Sequence, residues 1–538
     1  MEMPVETAGL WPYAHALTLS LIAIVFLQYL RFAHSSREPP VIKPTIPYVG
    51  HLLGMLFYGG RYLKQLGLQQ KHTPIFTLPM PGSHMYVVTD PLLAAAVQRS
   101  KSLSFSPIIP DVTKRVLGLD KATVAITRQH LDPGPGEMRG FLADIQYLIA
   151  RKMKPGEDLN TLIRNAVSAL KSHVDKEKAY LMEHRAYKEI DLLEWVRHGV
   201  TLATASHFYG NRNPVSQDPD LERAFWDFDH GVGMLLVDIW PSITASKAYH
   251  GREKLVAALA NYLEEGYWED SASPLVQERI KTALKHGWKL QEIARSELSF
   301  LFAGIVNVTT TTFWILLQLY ADQLLLAKVR GQIERAMTLK WRDHESMWTG
   351  RTLSVSGMEI ARSSTGFDCP ELTAVCQECL RLGSDNNSIR LVKEDTLLAD
   401  TWLLKKGSVV QIAGGVMHSD TSLWGENAAS FHPERFLPTS DTNEKFWARQ
   451  NGFRAFGGGK TLCPGRFFAM DQIQAFVIMV VLQFDIEPLA GDRIRVPKKN
   501  DRILPVHILE PEEPVNVRLQ LRKGWDRPVD VRVVFDPE

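Results

Sequence analysis

From residue 50 to about 290, apolar and polar positions recur at the three-to-four-residue spacing of amphipathic helices, with Gly and Pro as punctuation. Short alternating runs such as Met85–Val88 predict a few strands among them. The pattern then changes. Glu292–Tyr320 reads as one long helix that is apolar on nearly every side through 300–319, which predicts a buried helix. A shorter helical run covers Glu371–Leu382. The tail alternates at Val515–Leu521 and Val529–Phe535 with Gly524 and Pro528 between, a β-hairpin pattern. The expected class is therefore mainly α with small β-sheets.

One further apolar stretch stands apart. Leu10–Leu30 holds no formally charged residue, and a helix of that length reaches about 30 Å, the hydrocarbon thickness of a bilayer. Glu2 and Glu6 precede it and no small-residue cleavage site follows, which argues against a signal peptide. Arg31, Arg37 and Lys43 come after it, placing the body of the protein on the cytosolic side. Pro39, Pro40, Pro44 and Pro47 make a stiff connector that cannot continue the helix. The expected division is a tail (1–9), a single-pass anchor (10–30), a basic and proline-rich linker (31–49) and one large domain (50–538).

Composition narrows the chemistry. Apolar residues make up 45% of the 538 positions, ample for a core, and the net charge of +1 gives no support for nucleic-acid binding. The four cysteines form no disulfide framework, as in a reducing compartment. Cys376 and Cys379 have the spacing of half a zinc site, but no second pair accompanies them.

The fourth cysteine lies in FRAFGGGKTLCPGRFFAM, Phe453–Met470. Gly457–Gly459 permit a tight turn and close approach to a flat ligand. Cys463-Pro464 predicts the opening of a helix, where the dipole biases a thiol toward thiolate. A thiolate on such a platform suits a soft metal, haem iron included. The plain reading, a buried Cys acting as a small hydrophobe, competes with it. A phosphate loop does not: Gly459-Lys460-Thr461 imitates the end of that motif, but its first Gly would fall at Arg454.

The pattern Phe456-x-x-Gly459-x-x-x-Cys463-x-Gly465 resembles the haem loop of the cytochrome P-450 family of haem-thiolate monooxygenases. Three other segments resemble that family in the same order. Ala303-Gly304-Ile305-Val306-Asn307 is similar to its oxygen-binding helix, with Val306 and Asn307 where an acid and a Thr are usual. Glu378-x-x-Arg381 and Pro433-Glu434-Arg435-Phe436 are similar to its Glu-x-x-Arg and Pro-Glu-Arg-Phe segments. The resemblance covers roughly residues 38–520, and Asn307 followed by Phe313-Trp314 is closest to the branch of sterol 7-alpha-hydroxylases and prostacyclin synthase.

The resemblance implies the P-450 fold and haem b ligated by Cys463, with Phe456, Gly459 and Gly465 in the cofactor loop and Arg390 on a propionate. Thr461 stands where many members carry a propionate-binding Arg or His, so Lys460 or Arg454 is a candidate substitute. Glu378, Arg381 and Arg435 form the supporting network, and Ala303, Gly304 and Asn307 shape the oxygen site, with Thr310 and Thr311 as possible helpers. The implied enzyme sits in the endoplasmic reticulum membrane and takes electrons from an NADPH-cytochrome reductase. It inserts one oxygen atom of O2 into a lipophilic molecule such as a terpenoid, steroid or other secondary metabolite. Asn at this helix position also occurs in haem-thiolate isomerases of peroxides, so that reaction stays open beside monooxygenation, as does a non-catalytic haem sensor.

Overall fold

The computed structural model describes residues 36–538 except 344–357, 438–448, 526–530, 536–538 and a few isolated positions. The expected anchor, 10–30, lies outside the described residues. Seven helices frame the site: α1 (Glu157–His184), α2 (Leu192–Tyr209), α3 (Pro219–Val237), α4 (Ser246–Glu264), α5 (Leu290–Ala321), α6 (Pro370–Gly383) and α7 (Arg466–Gln483).

Local chemistry sets their ends. The Asp191 carboxylate accepts from the N–H groups of Leu193 (2.9 Å) and Glu194 (3.2 Å) and starts α2, a cap worth about 1 kcal/mol. Gly210 ends that helix with φ of 76°, and Asp218-Pro219 opens α3 with a cap and a proline in the first turn.

α5 and α7 are long and apolar enough to cross a membrane, yet 78% of the most apolar window of each is buried inside the protein. They are core helices. α5 packs against α2, α4, α6 and α7, as its all-round apolar pattern predicted. An ideal Cβ built on Gly304 would lie 2.9 Å from the Phe208 ring and 3.2 Å from Thr204 Cγ2. That glycine thus lets α2 approach α5 closely.

The strands are short and fall into sheets of two to five strands among the described residues. Five of them run in the order Ile75–Met80, Ser83–Val88, Val409–Ala413, Asn387–Val392 and Leu103–Ser104. Val409–Ile412 lies parallel to Met85–Val88, and Arg390 pairs with Val410. The two tail strands do not form the expected hairpin. Asn516–Leu521 lies antiparallel to both Phe484–Pro488 and Lys188–Asp191, while Val531–Phe535 runs parallel to Met358–Ser363. Alternation specifies which residues share a face; it does not specify which edge that strand will meet.

Candidate active site

The Gly-rich loop is built by contacts on both flanks. The Arg454 N–H donates to His418 Nε2 (2.8 Å), and Asn386 Nδ2 donates to the carbonyls of Arg454 and Ala455 (3.1 and 3.3 Å). Gly457 and Gly459 take φ of 74° and 57°, left-handed values that a side chain would strain. A Cβ on Gly459 would fall 2.6 Å from Gln98 Cβ, and one on Gly458 would fall 2.5 Å from Gln98 Oε1. These two glycines therefore press the loop onto the helix Pro91–Arg99. The loop closes where the Cys463 N–H meets the Phe456 carbonyl at 2.9 Å.

Cys463 is half-buried and comes before α7, whose first residue is Arg466. Burial pushes its thiol up; the Gly465 N–H and the Arg466 charge pull the other way. Desolvation is thus the larger influence on the metal-free thiol, set against the pull of the helix start expected from the sequence. A bound metal cation reverses this, since a coordinating thiol is deprotonated by the ion's own charge.

Two buried guanidinium groups flank the loop. Arg390, 3% exposed, donates to Ser388 Oγ (2.9 Å), to the Ile389 carbonyl (2.7 Å) and to Thr461 Oγ1. Arg454, 9% exposed, donates to Gln98 Oε1 (3.0 Å) and the Pro91 carbonyl (3.1 Å), while its Nε has no partner. Burial lowers the pKa of both, and neither meets a carboxylate among the described residues. A buried cation without a counter-charge is costly. Two of them fit the two propionates of haem. Thr461 takes part through its hydroxyl on Arg390, whereas Lys460 is exposed to solvent.

On α5, Ala303 and Asn307 are the only exposed residues between Glu292 and Ala321. They stand one turn apart on one face. Asn307 Oδ1 accepts from the Ile508 N–H at 2.9 Å, a tie between helix and loop that no local motif signals. Val306 is fully buried. The Thr310 hydroxyl donates back to the Val306 carbonyl at 3.2 Å, and Thr311 is 1% exposed. Thr310 is thus committed to its own helix.

Beneath the loop, Glu378 and Arg381 form two parallel hydrogen bonds of 2.7 Å, and both side chains are fully buried. Arg435 Nε (3.3 Å) and the His432 N–H (2.9 Å) also reach Glu378 Oε1. Arg381 donates to the carbonyls of His418 (2.6 Å) and Ala428 (2.8 Å). His418 is a further supporting residue, one that sequence reasoning missed. Its Nδ1–H donates to the Ser384 carbonyl (2.8 Å) and its Nε2 accepts from Arg454, so it links the network to the loop.

That pair of bonds requires neutral imidazole, and burial holds its pKa at about 4. The unfolded chain, near 6.5, takes up the proton first as pH falls. The contribution of His418 to stability is therefore complete above pH 6.5 and is lost as pH falls toward 4, about 3 kcal/mol in all. Denaturant titrations across that range should show a slope one proton shallower in His418→Gln. An unchanged slope would remove His418 from this role.

Cys376 and Cys379 are fully buried, and burial raises both thiols far above their usual range. They belong to no metal-ligating cluster among the described residues.

The site's geometry agrees with comparisons to known proteins. Residues 39–517 match the sequence profile of the family described as Cytochrome P450. The chain belongs to the cytochrome P450 family. It is 31% identical to Cytochrome P450 monooxygenase nodJ of Hypoxylon pulicicidum over 96% of both chains. A cytochrome P450 monooxygenase of Gibberella zeae is 27% identical over 95% of this chain and 94% of its own. Cytochrome P450 7A1 of Sus scrofa is 24% identical over 90% and 94%. This P450 is accordingly an oxidoreductase of the monooxygenase class, whose family carries haem on a cysteine thiolate. Of the described cysteines, Cys369, Cys376 and Cys379 are buried; Cys463 is the one that borders the loop and is partly accessible.

Proposed function

We propose that this P450 inserts one oxygen atom of O2 into a lipophilic polycyclic molecule, a terpenoid, steroid or related secondary metabolite. Cys463 would hold the iron, Arg390 and Arg454 the propionates, and Asn307 the polar position beside the bound oxygen. The observation that carries this reading is the pair Ala303 and Asn307, one small and one amide side chain, the only exposed residues of α5 between Glu292 and Ala321. When bound, haem supplies dioxygen activation, and its thiolate ligand favours O–O cleavage. The chain's own part is to exclude charge from the oxygen-facing surface of α5, to offer one amide there, and to neutralise the propionates. Sterol-related relatives support the substrate class: one is named Cholesterol 7-alpha-monooxygenase.

The proposed setting is the endoplasmic reticulum membrane, with residues 10–30 as anchor and electrons from an NADPH-cytochrome reductase. Large apolar side chains at the surface support membrane contact, among them Phe57 (71% exposed), Trp240 (74%) and Ile243 (76%).

A panel of terpenoid and steroid compounds, screened by the change each causes in the optical spectrum of ferric haem, would give substrates. Turnover of a hit under oxygen-18 gas should place one labelled atom in the product and require NADPH and reductase. Unlabelled product formed without NADPH would replace this reading with isomerisation of a peroxide.

A further inference from the structure

Loop 503–510 reaches the oxygen-facing side of α5 at one residue. The Ile508 N–H donates to Asn307 Oδ1 (2.9 Å), and the Ile508 carbonyl accepts from His507 Nδ1 (2.8 Å). Both polar groups of the Ile508 backbone are thus held, one by α5 and one by the imidazole beside it. Leu509 adds two ties: its N–H donates to the Gly383 carbonyl (3.1 Å), and its carbonyl accepts from Trp314 Nε1 (2.9 Å).

The imidazole is fixed in turn. A carbonyl only accepts, so Nδ1 of His507 must carry its proton. The other nitrogen, Nε2, stands 3.4 Å from Asp229 Oδ1 on α3. Asp229 is 2% exposed and His507 6%, and neither carboxylate oxygen of Asp229 has a hydrogen bond. The neighbouring charges are already committed. Glu510 is held by Arg197 and stands 3.5 Å from His230, and Arg197 Nη2 lies 3.0 Å from His230 Nε2. Asp229, His230 and Glu510 lie near enough to converge on a cation, but Glu510 and His230 are already engaged by Arg197. Asp229 is left facing His507 Nε2, the nearest polar group that its carboxylate meets across the gap from α3 to the loop.

An amide beside bound oxygen can present either its oxygen or its NH2. Here the Ile508 N–H turns Oδ1 toward the loop, and the Asn307 NH2 has no partner among the described residues. Resting on the monooxygenase reading, we infer that Asp229 and His507 are positioning residues: they set Ile508 so that Asn307 turns a hydrogen-bond donor, not an acceptor, toward the oxygen site. The pair spans α3 and the loop, so it also ties the element above the site to the residue within it. His507 packs against Phe302, one turn before Asn307's neighbours, with ring centroids 6.4 Å apart.

The test reads the C–O stretch of the reduced carbon-monoxide complex, which senses a donor near the bound diatomic whether or not the enzyme turns over. Asn307→Ala should shift the band. Asp229→Leu should shift it in the same direction or split it, while Asp229→Asn, which still presents a polar group to His507 Nε2, should keep the wild-type band. With substrate, the fraction of NADPH lost as peroxide should rise several-fold in Asp229→Leu. It should rise no further when Asp229→Leu is added to Asn307→Ala, because both remove the same donor. His507→Phe, which keeps the ring and loses both nitrogens, should repeat the Asp229→Leu result and stands in if that variant fails to bind haem. A wild-type band in Asp229→Leu or His507→Phe overturns the inference. So does additive uncoupling, or an Asp229→Asn variant that behaves like Asn307→Ala. A wild-type enzyme that forms product without NADPH would instead count against the monooxygenase reading, and the band shifts would still decide the placement of Asn307.

Discussion

The Cys463→His variant is expected to lose turnover entirely and, with it, the thiolate signature of the reduced carbon-monoxide spectrum. Imidazole can ligate iron, so haem can remain bound; what is lost is the electron-rich ligand that favours O–O cleavage. The fold should survive. The Cys463 backbone bond to Phe456 does not use the side chain, and the sulfur is only half-buried. Circular dichroism and haem content should therefore stay near wild type while the optical band moves. A thiolate-type band that persists in the variant would take the ligand role away from Cys463.

Glu378→Ala is expected to cost about 3–5 kcal/mol, the range for removing one partner of a buried ion pair. An exposed Glu–Arg pair at this helical spacing is worth only about 0.5 kcal/mol. This pair is different, because both side chains are completely buried. Losing the carboxylate leaves the Arg381 guanidinium beneath the loop with neutral partners only, and it removes the acceptor for the His432 N–H and Arg435 Nε. Since a whole domain is stable by roughly 5–15 kcal/mol, most preparations of the variant should be poorly folded and haem-free. Arg381→Met in the same background should recover part of the loss, because an apolar replacement of both partners leaves no charge stranded. Denaturation midpoints and haem occupancy measure both effects. A cost below 1 kcal/mol would contradict the burial described above.

What could be read from the sequence was local. The buried character of Leu290–Ala321 follows from its all-round apolar pattern, and the Gly-rich loop, Glu378/Arg381 and Arg435 announce themselves by spacing. In the structure Glu378, Arg381 and Arg435 form one buried network, tied to the loop through His418. What could not be read depends on partners far apart in the chain. His418 meets Arg454, Asn307 meets Ile508, and Asp229 meets His507; none of these pairs has a spacing rule, since each is made by tertiary packing. The tail shows the same limit, with strands correctly expected and their partners mistaken. Gly459 and Gly304 show it in a subtler form. Their lack of a side chain is used against Gln98 and Phe208, and a glycine's sequence context does not say what approaches it.

The pairing of Asn516–Leu521 with Lys188–Asp191 has a consequence in time. A strand made early in synthesis waits for one made hundreds of residues later, and contacts of such long sequence separation slow folding because the intervening loop must close first. During that interval Lys188–Asp191 lacks its neighbour, while α1 and α2, which flank it, are already translated. The Gly-rich loop and Cys463 also emerge before the closing strand does. The order of events along the chain therefore allows the cofactor to meet its loop before this sheet is complete, and an open sheet edge in that period is a natural substrate for chaperones.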